Sequence, residues 1–309
     1  MARYAQRLIR EKLEVTPGTA VVTAPVDALM ARNVTIRNLE AEYQAQDFAI
    51  GIEGAQGEDI FNIHAGAEYD IEAAPPTAPG QPPLYAHLLQ SSGFALTDDG
   101  GDSVFTPLDE SAVIPTTTLQ LRNGALMQAV AGCRGAVSFT AETGRKPFFR
   151  FNRRGRYGAP VPFVAEAHDF GDWPRALTCT PETMFAHTLG GVTLPVRSFT
   201  WTDGRQPRVD TYMNLEGTTL GPRRVTGSMT VKWPALAAKD ILANIRDGVT
   251  EPLVWTLGRE TGKTLTISAP QVQIKFAGEQ DIEGDLGVTL DLVFLPTGAG
   301  NDDIEIRFS

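Results

Sequence analysis

The chain has 309 residues, 42% of them hydrophobic and 21% charged, which suits a folded protein with room for two ordinary domains. Its formal net charge of -10 argues against a protein that grips nucleic acid through the phosphates, and fits a surface that stays near nucleic acid without holding it. Two distant cysteines, Cys133 and Cys179, and four scattered histidines, His64, His87, His168 and His187, give neither a disulfide framework nor zinc-ligand spacing. Reduced, mostly buried thiols are expected, with no metal and no cofactor. Met1 to Arg10 carries basic residues without an apolar run, and no stretch approaches the length of a membrane span. Neither a signal peptide nor a membrane partner is therefore expected, and the chain should stay in a reducing cytoplasm until it is built into something.

In chain order, residues 1–32 read as a lead-in with a turn at Thr16-Pro17-Gly18-Thr19. Val34 and Ile36 then alternate with Thr35 and Arg37, and Tyr69 and Ile71 with Glu68, Asp70 and Glu72, the period of two of a strand. Five prolines between Ala73 and Pro83 exclude helix and central strand, leaving an extended surface connection. Leu84 and Leu88 mark a short helix that stops at Gly93. Phe149 and Phe151 alternate with Arg150 and Asn152, after which residues 161–195 lose clear period and read as a linker. Alternation resumes with Phe199 and Trp201 against Ser198, Thr200 and Thr202. Asp203-Gly204-Arg205-Gln206-Pro207 fits the tip of a hairpin leading to Val209, Thr211, Met213 and Leu215, which alternate with Asp210, Tyr212, Asn214 and Glu216. Met229 and Val231 alternate with Ser228, Thr230 and Lys232. Ala238, Ile241, Leu242 and Ile245 have helical spacing and Gly248 closes the helix. Leu286, Val288, Leu290, Leu292 and Phe294 alternate with Thr289, Asp291 and Val293.

One supersecondary pattern thus occurs twice: strand, proline, short amphipathic helix, glycine stop, further strands. It runs from Ala67 to Gly93 and again from Thr226 to Gly248. The expected fold is mostly β, with two tandem units at 33–160 and 196–309, each flanked by a short α-helix. Placing Tyr69 with Met229, Ile71 with Val231, Phe149 with Leu290 and Phe151 with Leu292 matches apolar positions, while the polar face between them differs.

Catalytic signatures are not evident. Gly258-Arg259-Glu260-Thr261-Gly262-Lys263-Thr264 has three residues between its glycines where a phosphate loop needs four, and it lies between strands instead of opening a helix, so a β-turn is expected. His168-Asp169 and His187 stand alone, with no nucleophile elbow beside them. The expectation is a protein with no enzymatic activity. Arg145, Lys146, Arg150, Arg153, Arg154 and Arg156 crowd a span with Phe148, Phe149, Phe151 and Tyr157. That mixture suits single-stranded nucleic acid, but the acidic total favours a strand with core phenylalanines and arginines that bridge a neighbouring subunit. Arg145, Arg150, Arg153, Arg154, Asp203 and Arg205 are accordingly candidate subunit contacts. Glu68, Asp70, Glu72, Ser198, Thr200, Asp210, Asn214, Glu216, Ser228, Thr230 and Asp291 make a polar, mostly neutral or acidic face; in a closed tube it would line the channel and repel a passing phosphate backbone.

Three segments resemble the tail tube (major tail) proteins of long-tailed, non-contractile bacteriophages. Leu8 to Thr19 is similar to the family's opening helix and Gly-Thr turn. Pro83 to Phe94 is similar to its leucine-rich helix followed by Gly-Phe, with Ser92 where many relatives carry cysteine. Leu292 to Ile306 is similar to its closing strand, Gly-Asn-Asp turn and last strand. The resemblance implies β-sandwich or half-barrel units that join edge to edge into rings, with stacked rings enclosing a channel for genomic DNA. Implied partners are other copies, as homotrimeric rings if each chain supplies two units, and the tape measure, terminator and distal tail proteins. DNA would pass without specific binding, and the site of action would be the virion tail, assembled in the host cytoplasm. A tail terminator or distal tail protein, or a carbohydrate-binding β-sandwich module, is the alternative.

Overall fold

The computed structural model describes residues 7–49, 53–164, 166–168, 170–260 and 262–309. The chain is mostly β. In order it forms β1 (Arg7–Leu13), β2 (Ala31–Ala45), β3 (Glu58–Glu72), α1 (Ala86–Gln90), β4 (Phe94–Asp99), β5 (Asp102–Pro107), β6 (Thr117–Asn123), β7 (Leu126–Glu142), β8 (Phe148–Arg156) and β9 (Val161–Pro162). There follow β10 (Met184–Leu189), β11 (Val192–Thr193), β12 (Val196–Thr202), β13 (Pro207–Tyr212), β14 (Leu215–Leu220), β15 (Thr226–Lys232), α2 (Ile241–Arg246), β16 (Thr250–Leu257), β17 (Leu265–Ile282), β18 (Asp285–Leu295) and β19 (Glu305–Phe308). All strands but β13 and β14 belong to one hydrogen-bonded sheet, and every pairing in it is antiparallel.

The middle of this sheet is an unbroken run of eight strands, β2-β3-β8-β7-β12-β15-β18-β17. The residues that period two assigns to its dry face are buried: Tyr69, Ile71, Phe149, Phe151, Phe199, Trp201, Met229, Val231, Leu290 and Leu292. They belong to one continuous core that passes through both halves of the chain. At its centre the Phe139 ring lies 5.0 Å from Phe149 and 5.2 Å from Trp255. Aromatic pairs at such spacing add to the burial of their area.

Both short helices form where expected. In α1, Leu88 and Leu89 are buried, whereas Leu84, before the helix, is exposed. Gly93 follows with φ of +91°, a conformation that calls for glycine, and the Arg205 guanidinium lies where a Cβ would stand. In α2, Asp240 caps the N-terminus by accepting from Ala243 N at 2.9 Å, and Ile241 is the buried anchor.

Three expectations change. Leu8 to Leu13 is not a helix, and residues 7–32 are not a lead-in: β1 pairs with β6 from Arg7↔Asn123 to Leu13↔Thr117, with Ile9, Arg10 and Glu11 buried. Asp203 to Pro207 is not a hairpin tip. β12 pairs with β7 and β15, while among the described residues β13 pairs with β14 alone, so these residues are a bend between two sheets. The stretch 161–195 contributes β10, which pairs with β16, and so joins the main sheet.

Candidate functional site: the polar face and its ionic clusters

The wet face of the eight-strand run is continuous. One row reads Arg32, Asp70, Arg150, Ser138, Thr202, Thr226, Val293 and Gln273 in successive strands. The next contains Thr140, Thr200, Ser228, Asp291 and Lys275. Glu68, Asp70, Glu72, Ser198, Thr200, Ser228, Thr230 and Asp291 therefore do share a face.

That face is not acidic where the sequence makes it look so. Asp70 accepts from Arg150 Nε at 2.7 Å and from Asn33 at 2.7 Å, and its side chain is 1% exposed. Glu68 pairs with Arg37 at 3.2 Å, and Glu72 with Arg32 at 3.3 Å and Lys146 at 2.9 Å. Cations on β2, on β8 and in the turn before it thus alternate with the three carboxylates of β3. Asp70 is spent on a ladder inside the chain and is not a free wall charge. Thr230 is buried too, its Oγ1 3.1 Å from that of Thr289.

Asp210, Asn214 and Glu216 do not belong to this face. They lie on the separate β13–β14 hairpin, which crosses β7, β8 and β3. Arg134 of β7 donates to Thr218 O at 2.6 Å, and Thr211 donates to Asn62 at 2.9 Å, which fixes the hairpin there. Alternation identifies residues that share a strand face, but carries no information about which sheet the strand joins.

The basic, aromatic segment becomes β8. Phe149 and Phe151 are in the core, and the cations find partners within the chain: Arg145 with Glu142, Lys146 with Glu72, Arg150 with Asp70, and Arg154 with Glu40 at 2.8 Å. Arg153 is fully buried and so is not a subunit contact. Its guanidinium bonds Glu11 from both Nε and Nη2, and Nη2 also donates to Ser91 Oγ at 2.6 Å and Thr117 Oγ1 at 2.7 Å. Tyr69 donates to the other Glu11 oxygen at 2.5 Å. Burial, reinforced by the Glu11 charge, raises the Tyr69 pKa well above its ordinary value. This cluster ties β1, β3, β6, β8 and the end of α1 together. Small residues make room for it: a Cβ on Gly135 would stand 2.7 Å from Arg153 Cδ.

Asp203 and Arg205 are likewise buried and cannot meet a neighbour. Asp203 clamps β12 to β7. Its backbone N donates to Val137 O at 3.1 Å, and its carboxylate accepts from Val137 N at 3.2 Å and Arg205 N at 3.1 Å. Burial pushes its pKa up to about 7 against these hydrogen bonds and the charges of Arg205 and Arg223.

His168 lies beside Arg10 Nη2, which also pairs with Glu166 at 2.6 Å; Asp169 and Thr261 lie outside the described residues. Among the described residues no three His, Cys, Asp or Glu side chains are placed to hold a metal. His187 stacks on Trp255 with ring centroids 6.1 Å apart, and burial pulls its pKa down to about 4. A histidine whose folded pKa lies below the ordinary 6.5 stabilises the fold above that value and loses the contribution as pH falls toward 4. Replacing His187 with Gln should therefore reduce the drop in Tm between pH 7 and pH 4.5 measured by calorimetry; an unchanged drop would show that His187 does not contribute to it.

No family model matches the chain, and no curated protein matches it in sequence.

Proposed function

We propose that this chain is the structural subunit of a phage tail tube, and that it holds two tube-type units whose rings contain three chains. The observation that carries the reading is the eight-strand antiparallel run with one dry and one wet face and a free edge at each end. Among the described residues β2 has β3 as its one strand partner, and β17 beyond Gln273 has β18 alone. Free edges of this length are a liability unless another strand covers them.

The order of pairing supports two units. In the first half β1 pairs with β6, β6 with β7, β7 with β8, β8 with β3 and β3 with β2. In the second, β10 pairs with β16, β16 with β17, β17 with β18, β18 with β15 and β15 with β12. Each half has its helix after the third of these strands in chain order. The alignment drawn from sequence needs one adjustment. Tyr69 faces Phe151 and Met229 faces Leu290, so matching Tyr69 with Met229 matches Phe151 with Leu290 and Phe149 with Val288, two residues from the sequence-based pairs.

Two like units per chain joined head to tail form a closed ring if the rotation closes. The wet face would line the lumen, with paired charges and hydroxyls that offer DNA no array of free cations. Electron microscopy of the purified protein should show rings or tubes with three chains per ring, and native mass spectrometry a trimer or its multiples. A protein that stays monomeric at all concentrations and salts would end this reading, and six chains per ring would end its two-unit form.

A further inference from the structure

Within the chain the two halves meet through one strand pair, β7 with β12, running from Thr202↔Ser138 to Ser198↔Glu142. In the repeat described above, β17 stands where β7 stands and β2 where β12 stands. Among the described residues the β17 end and the β2 edge are the two open ends of the eight-strand run. We propose that the β17 end of one chain pairs with the β2 edge of the next copy, repeating the β7–β12 joint between chains, and that it carries its acidic side chains into a basic groove beside β2. This inference rests on the tube reading and specifies its seam.

The register follows from the internal template. Gly278 faces Thr289 as Ser138 faces Arg150, and Gln280 faces Gly287 as Thr140 faces Phe148. On the other strand, Thr35 faces Glu68 as Thr200 faces Ser228, and Arg37 faces Gly66 as Thr202 faces Thr226. Ser138 meets Thr202 and Thr140 meets Thr200, so Gly278 should meet Arg37, and Gln280 should meet Thr35, of the next copy.

Burial agrees with a missing partner at these edges. Val137, at the internal joint, is 1% exposed, while its counterpart Phe276 is 45% exposed. Phe199 is fully buried, and its counterpart Val34 is only partly so. Beside the internal joint a space is lined by Met184, His187, Val196, Phe199 and Trp255 on one side and by Ala141 and Glu142 of β7 on the other. Its counterpart beside β2 is a groove of about 770 Å³ whose lining includes Arg7, Val34, Trp173 and Arg175 together with Arg32 and Lys146, which share Glu72, so cations outnumber the one carboxylate. Glu279 and Asp281 occupy the places of Phe139 and Ala141 and are exposed. An acidic strand end therefore matches a basic groove, where opposite potentials set partner and register. The Val34 carbonyl accepts from Arg7 at 2.6 Å and retains a second lone pair for an incoming strand.

The test mixes chains carrying Thr35→Cys alone with chains carrying Gln280→Cys alone under mild oxidation. Opposed residues of an antiparallel pair have Cβ atoms about 4.5–5.5 Å apart, close enough for a disulfide after small adjustment. The expected product is a covalent dimer of the two variants, formed by neither alone; the native Cys133 and Cys179 are buried. Chains with Leu39→Cys in place of Thr35→Cys should not cross-link to Gln280→Cys. Rings that form without the Thr35–Gln280 cross-link, or that cross-link Thr35→Cys to itself, would overturn the seam while leaving the tube reading intact. Chains that neither assemble nor cross-link would overturn both. Replacing Glu279 and Asp281 with Lys should weaken assembly, and exchanging the exposed Arg175 for Glu in the same chain should restore part of it; no loss from the acidic change would count against the groove.

Discussion

Replacing Arg153 with Met should cost about 3–5 kcal/mol of unfolding free energy, a large share of the ~5–15 kcal/mol that holds an ordinary domain together. The loss arises from what remains. Glu11 would stay fully buried without the guanidinium, and Ser91 and Thr117 would lose the partner that orients them. Lys at this position would not substitute, because a single ammonium cannot reach Glu11, Ser91 and Thr117 with the geometry of a planar fork. A buried ion pair is not in itself a strong stabiliser, since much of its attraction offsets desolvation. The triple variant Arg153→Met, Glu11→Leu, Tyr69→Phe, which removes the pair and the phenol that donates to it, should therefore recover most of the loss. Urea denaturation of the single and triple variants measures both numbers. A single variant within about 1 kcal/mol of the parent would mean that water reaches Glu11 and that the site is not dry.

This cluster also explains what the sequence hides. Where a strand buries only apolar residues, period two reads through: Phe149 and Phe151, Met229 and Val231, and the run from Val288 to Phe294 lie in the strands and on the faces that the alternation indicates, while Leu286 at the strand end is exposed. β1 fails this reading because Glu11 and Arg10 stand among its buried residues. Glu11 can be buried only because Arg153 lies against it, 142 residues away, a relation no local pattern contains. A signal for the β6–β7 hairpin was present in Asn123-Gly124, which the expected elements did not include. The polar face was legible as a set of positions but not as a charge. Arg32, Arg37 and Lys146 neutralise β3 from neighbouring strands and turns, and register across a sheet is a long-range property. Three of the interface candidates, Arg153, Asp203 and Arg205, prove buried for a related reason. A buried, paired arginine and an exposed one are the same letter, and only the fold separates Arg153 from Arg145, whose side chain is 75% exposed.

Asp203 should make the fold less stable as pH rises from about 4 to about 7. Its carboxyl is buried at the joint between β7 and β12, and its folded pKa is about 7 against an ordinary 3.8. The folded state therefore holds a proton through a window in which the unfolded chain has released it. Stability from this group is complete below the ordinary value and is lost as pH climbs through the folded one. About three pKa units correspond to roughly 4 kcal/mol, spread over that window. Asn at this position carries no proton to lose and keeps an oxygen for one of the two backbone N–H groups. The Asp203→Asn variant should then show a flat stability between pH 4 and pH 7 where the parent declines, with the two curves closest at low pH. At pH 8 the variant should be the more stable of the two, because the parent then holds a carboxylate in a dry joint. Chemical denaturation across this pH range gives both curves. Parallel slopes would show that the Asp203 carboxyl stays ionised in the fold, its two N–H donors together with Arg205 and Arg223 outweighing its burial.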